Sequence, residues 1–142
     1  MKIALIGATG FVGTAILKEA LAREIQVTAI VRHTEKLQAQ KNLTIVKGDV
    51  MDSDKLSELF KGNDVVVSAY NAGWTNPDLY NELLKGAQSI QEAVKKAGVK
   101  RLIVIGGAGS SFIAPNVQLF DTPQFPAEWK PGALAVRDYL NV

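Results

Sequence analysis

Three glycines at the spacing G-x-x-G-x-x-G mark the first place where this chain can do chemistry. Gly7-Ala8-Thr9-Gly10-Phe11-Val12-Gly13 follows the apolar run Ile3–Ile6 and precedes a stretch with helical spacing. Glycines at such a junction allow a tight turn and let backbone N–H groups approach a pyrophosphate, which then sits at the positive end of the helix. The spacing is close to the dinucleotide fingerprint G-x-G-x-x-G without being identical to it. We expect a phosphate cradle with Gly7, Thr9, Gly10, Phe11, Val12 and Gly13 as its contacts.

Further along, Arg32 ends a second apolar run, Val27–Val31. A fold that prefers NAD usually places an acid there for the ribose 2′-hydroxyl, whereas an arginine suits a 2′-phosphate. With Lys36 beside it, the position points to NADP over NAD; the alternative is a solvated basic loop. His33 reads as an exposed loop residue, not a ligand. Asp49-Val50 follows a third run, where this fold meets the adenine, although Asp49 could equally cap a turn before a helix starting at Ser53. Ala69, Tyr70 and Asn71 after a fourth run, and Gly106 after a fifth, are placed to contact the cofactor, Tyr70 and Asn71 on its nicotinamide side. Trp74 and Phe112 are candidates to stack on a flat substrate.

The elements that must position these residues are legible as alternation. The apolar runs Ile3–Ile6, Val27–Val31, Thr44–Val46, Val65–Ala69 and Leu102–Ile105 are continuous, as expected of strands buried on both faces of a parallel sheet. Helical spacing lies between them: after Gly10 through Val12, Ile16 and Ala20; over Ser53–Lys61; and over Pro77–Ala97, with Asn76 as N-cap and Gly98 as stop. Residues 35–40 are either a helical turn or a loop. Strand–helix alternation implies an α/β fold, a Rossmann-type doubly wound parallel sheet of order 3-2-1-4-5. From Gly106 to Pro131 periodicity is lost and four of the five prolines gather, as in a lid or binding loop. Another helix begins at Gly132. The expectation is a single NAD(P)-binding domain over residues 1–142 that ends early, without the sixth strand or a C-terminal substrate lobe.

Composition narrows the classes. With 142 residues, 47% hydrophobic and 21% charged, the chain reads as one globular domain. No apolar run approaches the ~18–20 residues of a membrane span, and a net charge of +2 argues against a nucleic-acid partner. Zero cysteines exclude disulfides and thiolate chemistry and agree with a cytoplasmic location. One histidine argues against a His-based metal site or a Ser-His-Asp triad, so no metal is expected. The pairs Lys95-Lys96 and Lys100-Arg101 flank a helix C-terminus, where the dipole favours cations.

Taken as a set, Ile6–Gly13, Ala29-Ile30-Val31-Arg32, Lys47-Gly48-Asp49-Val50, Ala97-Gly98-Val99-Lys100-Arg101 and Gly106-Gly107-Ala108-Gly109 resemble the extended and atypical branches of the short-chain dehydrogenase/reductase superfamily. Within it the chain is similar to small NAD(P)H-binding proteins grouped with flavin and biliverdin reductases, NmrA-like proteins and epimerase/dehydratases. The resemblance covers about residues 1–110 and implies a Rossmann fold with bound NAD(P). Catalytic members carry Tyr-x-x-x-Lys, whose lysine lowers the tyrosine pKa for proton exchange. Here Tyr70 is followed four residues on by Trp74 and Tyr80 by Leu84, while Tyr139 would need residue 143. Ser110 and Ser111 occupy the place of the family's helper serine, although a hydroxyl in a glycine-rich turn more often bonds its own backbone. Reduction of a small planar acceptor such as a flavin or quinone by NAD(P)H survives this loss, because the cofactor carries the chemistry. An NmrA-like nucleotide-sensing module and a sugar-nucleotide epimerase or dehydratase are the alternatives. Oligomeric state is not encoded legibly.

Overall fold

Strands that are apolar on both faces need a helical layer on each side, and the helices that supply it also return the chain for parallel pairing. In the computed structural model, which describes residues 1–141, β1 (Lys2–Ile6), β2 (Gln26–Val31), β3 (Leu43–Lys47), β4 (Val65–Ser68) and β5 (Leu102–Val104) form one parallel sheet in the order 3-2-1-4-5. Ile3 pairs with Val27 on one side and Val65 on the other. Helices α1 (Phe11–Ala22), α2 (Ser53–Phe60) and α3 (Leu79–Ala97) make the crossovers. Between β2 and β3 there is only a 3₁₀ turn over Thr34–Lys36, which resolves the ambiguous stretch after Arg32.

The chain divides into two compact units: residues 1–70 with 89–105, and residues 71–88 with the chain from Gly106 onward. The first contains the sheet. On one face, Leu17 and Ala20 of α1 pack with Leu5, Val27, Ala29 and Val67; on the other, Leu56 and Phe60 of α2 and Ile90, Ala93 and Val94 of α3 pack with Ala4, Ile6, Ile30 and Val66. Side chains that leave water completely, such as Leu5 and Phe60, contribute about 1.5–3 kcal/mol each.

Some expectations are corrected. Helix α1 buries Gly13, Leu17 and Ala20 with Ile16 half-buried beside them, while Val12 is exposed, because Gly13 must face the loop before it. Burial on both faces holds for β1 and β4 but not for β5, whose Ile103 and Val104 are 39% and 37% exposed. As an edge strand it has a neighbour on one side only. Asp52 caps α2, accepting the Lys55 N–H at 3.0 Å, while Asp49 caps the turn before it, one of its two expected roles. Helix α3 starts at Leu79, two residues after Pro77, although the Asn76 side chain does accept the Asp78 N–H. Gly98, at φ +71°, ends the helix as expected.

The second unit is irregular. Its 106–131 stretch contains a hairpin, β6 (Phe112–Ala114) and β7 (Val117–Gln118), and three short 3₁₀ turns. It is followed by α4 (Lys130–Tyr139), which carries Pro131 in its first turn. Leu79, Leu83 and Ala135 form its small core. Phe120, buried, meets Phe125 edge-on, and Phe125 meets Trp129 in the same way. No helix among the described residues is long and apolar enough to cross a membrane.

Candidate phosphate cradle and its surroundings

At the C-terminal ends of β1 and β4, where the strand order reverses, the loop after β1 is made by glycines for three different reasons. Gly7 takes φ +79°, and a Cβ there would lie 2.5 Å from the Ala69 carbonyl oxygen at the end of β4. Gly10 is extended and serves as N-cap of α1, its N–H donating to the Gly7 oxygen at 2.9 Å. A Cβ on Gly13 would run into that same Gly7 oxygen, so only glycine lets α1 start this close to the loop. The first-turn N–H groups of a helix have no intrahelical acceptor. Here no side chain caps them, and no acidic residue lies in the first turn. That leaves N–H donors and the positive helix end available to an anion, with no carboxylate to compete. Thr9 is exposed beside them, Phe11 is 98% exposed and Val12 42%. The cradle fits a dinucleotide pyrophosphate, which the backbone of residues 10–13 would hold.

Arg32 and Lys36 lie just past β2, both exposed, and neither side chain has a hydrogen bond or ion pair among the described residues. The nearby acid, Glu35, sits 3.2 Å from His33 Nδ1, which makes His33 a surface partner. Asp49 forms a turn of its own, its carboxylate accepting the Met51 N–H at 3.0 Å. Val50 is half-buried against Ile30 and Leu56. The Ala69 N–H donates to the Ile6 oxygen, and Tyr70 packs against the α2–α3 face of the sheet.

The remaining candidates belong to the second unit. Asn71 accepts the Gly73 N–H at 2.7 Å, and Trp74 is 61% exposed. Gly106 is exposed. The Ser110 hydroxyl donates to the Gly107 oxygen at 3.3 Å, the local bond such a turn favours. Ser111 is exposed, and Phe112 is 68% exposed on β6.

Sequence reasoning passed over two features here. One is Gly132, which lies under the Trp74 ring: a Cβ there would be 3.0 Å from Trp74 Cζ3. The other is a polar cluster in which the Tyr80 hydroxyl donates to Asp138 at 2.7 Å and Arg137 pairs with the same carboxylate while lying 5.2 Å from the Phe120 ring. The Tyr80 hydrogen bond, then Arg137, holds Asp138 below the usual carboxylate range, and Asp138 pushes the Tyr80 phenol up. Tyr80 is thereby a weaker acid than a free phenol, the reverse of what Tyr-x-x-x-Lys achieves. Neither feature has a sequence signal, since each joins residues from separate segments.

A parallel 3-2-1-4-5 sheet with a glycine cradle at its switch point defines a dinucleotide-binding α/β protein. The sequence matches the NAD(P)H-binding family over residues 7–140, and the chain belongs to that family. Protein YwnB of Bacillus subtilis is 43% identical over 135 residues, which cover 94% of this chain and 61% of YwnB. A crystal structure from Bacteroides thetaiotaomicron, of a protein provisionally named an epimerase, is similar with a TM-score of 0.89 and 45% identity, over 99% of this chain and 62% of that one. A Streptococcus pneumoniae protein provisionally named an NADH-flavin reductase has a TM-score of 0.80 and 39% identity, over 99% and 64%. The chain thus spans a little under two thirds of the length of these relatives.

Proposed function

We propose that this chain is an NAD(P)-binding oxidoreductase, an NAD(P)H-dependent reductase that transfers hydride to a planar acceptor such as a flavin or quinone. The observation that carries the reading is a built phosphate cradle beside tyrosines that lack an activating lysine: Tyr70 and Tyr80 are followed four residues on by Trp74 and Leu84, and Tyr80 is held by Asp138 as a weak acid. When bound, NAD(P)H supplies a hydride, so that with one proton from water the acceptor is reduced by two electrons and NAD(P)⁺ is left. What this chain contributes is binding and orientation. The backbone at Gly7–Gly13 would hold the pyrophosphate, Arg32 and Lys36 would read a 2′-phosphate, and Asp49, Val50, Ala69 and Tyr70 would line the nucleotide. This makes NADPH the preferred donor, because two unpaired cations stand where a ribose-binding acid would otherwise be. Ser110 and Ser111 are not needed as acids, because solvent provides the proton. A cysteine-free chain suits a cytoplasmic location.

The test is NADPH oxidation with and without added FMN or a quinone, alongside a binding titration. The reading expects oxidation that depends on the acceptor. Tight NADPH binding with no acceptor-dependent turnover would replace it with the nucleotide-sensing module.

A further inference from the structure

Large aromatic side chains leave water when they have somewhere to go. Trp74 keeps 61% of its surface in solvent, and its indole N–H has no acceptor among the described residues. The turn that carries it is nonetheless fastened at several points. The Gly73 N–H donates to Asn71 Oδ1 at 2.7 Å, and the Asn76 N–H to the Gly73 oxygen at 3.0 Å. Asn76 Nδ2 donates to the Ala72 oxygen at 3.3 Å and to Glu82 Oε2 at 2.7 Å. Gly73 itself takes φ +102°, a conformation that needs glycine.

The six-membered ring of the indole rests where α4 begins. A Cβ at Gly132 would come within 3.0 Å of Trp74 Cζ3 and 3.6 Å of Cη2. Glycine inside a helix is unfavourable relative to alanine, and the Gly132 backbone is not among the positive-φ glycines. Its missing side chain therefore serves the ring above it. A pinned turn and a seat cut to fit hold an aromatic surface ready and mostly uncovered. Rigid aromatic area of this kind binds flat rings at little entropic cost. Phe112 and Trp129, though exposed, have no such glycine seat; Trp129 is engaged edge-on by Phe125.

The geometry points to Trp74 as the stacking surface for the planar acceptor, with Gly132 as the positioning residue that sets the tilt of its ring. The inference rests on the acceptor reading above and names the side chain that recognises the acceptor. An electron-rich indole favours an electron-poor conjugated ring, an isoalloxazine or a quinone, over a sugar or an aliphatic aldehyde.

The chain has two tryptophans, so each can be removed in turn. FMN is titrated into the wild type, Trp129→Phe and Trp74→Phe while tryptophan emission is followed, and KM and kcat are measured with NADPH where turnover occurs. Saturable quenching is expected in the wild type and in Trp129→Phe and is expected to vanish in Trp74→Phe. KM for FMN should rise about three- to tenfold in Trp74→Ala, with the NADPH KM unchanged. Gly132→Ala should weaken FMN in the same direction at a small cost in melting temperature, since the gain in helix propensity is offset by the buried Leu79 side chain, 3.2 Å from the added carbon. Equal quenching in Trp74→Phe and the wild type, no saturable quenching in the wild type, or an unchanged FMN KM in Trp74→Ala would each overturn the assignment. Quenching at Trp74 without any NADPH oxidation would leave the stacking surface standing and overturn the reductase reading alone.

Discussion

In the proposed reading the sheet unit and the irregular unit each present a binding surface, but with different parts of the chain. In the first, the surface is backbone: Gly7, Gly10 and Gly13 clear side chains away so that N–H groups at the start of α1 are reachable. In the second, the surface is side chain: Trp74 stands over Gly132 on a short, fastened turn. A backbone site has almost no freedom to adjust, because its contacts are between main-chain atoms fixed by a parallel sheet. A side-chain site can yield by rotating a ring.

The largest expected effect tests that difference directly. Gly13→Ala drives a Cβ into the Gly7 carbonyl, main chain against main chain, whereas Gly109→Ala meets Ala133 Cβ at 2.9 Å and the Phe125 ring at 3.3 Å. We expect Gly13→Ala to lose on the order of 3 kcal/mol together with nucleotide binding, and Gly109→Ala to lose less than half as much. Denaturant melts of the two variants measure it; equal losses would show that the first unit is no more rigid than the second.

Gly10→Asp separates fold from function within the cradle. Position 10 is an N-cap with ordinary φ, and its added Cβ would meet only the Gly7 oxygen at 3.3 Å. Aspartate is a good N-cap and its charge suits the helix end, so the melting temperature should hold or rise. The same carboxylate occupies the N–H groups and repels a pyrophosphate, and both NADH and NADPH should bind on the order of a hundredfold more weakly, or about 2.7 kcal/mol. Retained affinity in the folded variant would remove the phosphate site from this loop.

Legibility follows the same division. Strand order, the three crossover helices and the glycine cradle were readable because each depends on residues close together in sequence: a run such as Val65–Ser68, or glycines three apart. Local misreadings had local causes. Val12 carries the right apolarity for a helix core, but it lost that face to Gly13, whose position is dictated by Gly7 in the preceding loop. Ile103 reads as a buried strand residue because its run is as apolar as the central ones, although the expected 3-2-1-4-5 order already places its strand at the edge. In the irregular unit the informative contacts join distant segments, Trp74 to Gly132 and Tyr80 to Asp138, with spacing that no periodicity announces.

A smaller effect concerns which nucleotide the sheet unit prefers. Charge-assisted hydrogen bonds from Arg32 to a 2′-phosphate are worth about 1.5–3 kcal/mol each. Arg32→Ala should therefore weaken NADPH by about ten- to a hundredfold and NADH far less, in titrations at fixed ionic strength because salt screens the attraction. Equal losses would mean that Arg32 packs on the adenine; no loss for either would make it a solvated loop residue and end the case for NADP.

The smallest effect belongs to the irregular unit and is read as pH dependence. Asp138 is held below its usual range by the Tyr80 hydroxyl and Arg137, so its contribution to stability is present above the unfolded carboxylate pKa and fades as pH falls through the lower folded value, below about pH 4. The Tyr80 phenol is pushed up by the same hydrogen bond, so its contribution is present below the unfolded phenol pKa and is lost as pH rises through the folded one, above about pH 10. Tyr80→Phe should lower the melting temperature slightly at neutral pH and shrink the alkaline limb, part of which remains because burial also pushes the Tyr139 phenol up. Part of the acid limb should remain, because Arg137 still faces Asp138 at 2.7 Å. Asp138→Asn should shrink both limbs without removing them, since Asp54 is held low by Lys96 and Tyr139 is pushed up by burial. Nucleotide affinity should not move in either variant, since the cradle is built from main-chain atoms of the other unit. Melting profiles that match the wild type at both extremes would show that the Tyr80–Asp138 bond does not hold in solution. A drop in NADPH affinity would show that the two units do not divide the work as their construction suggests.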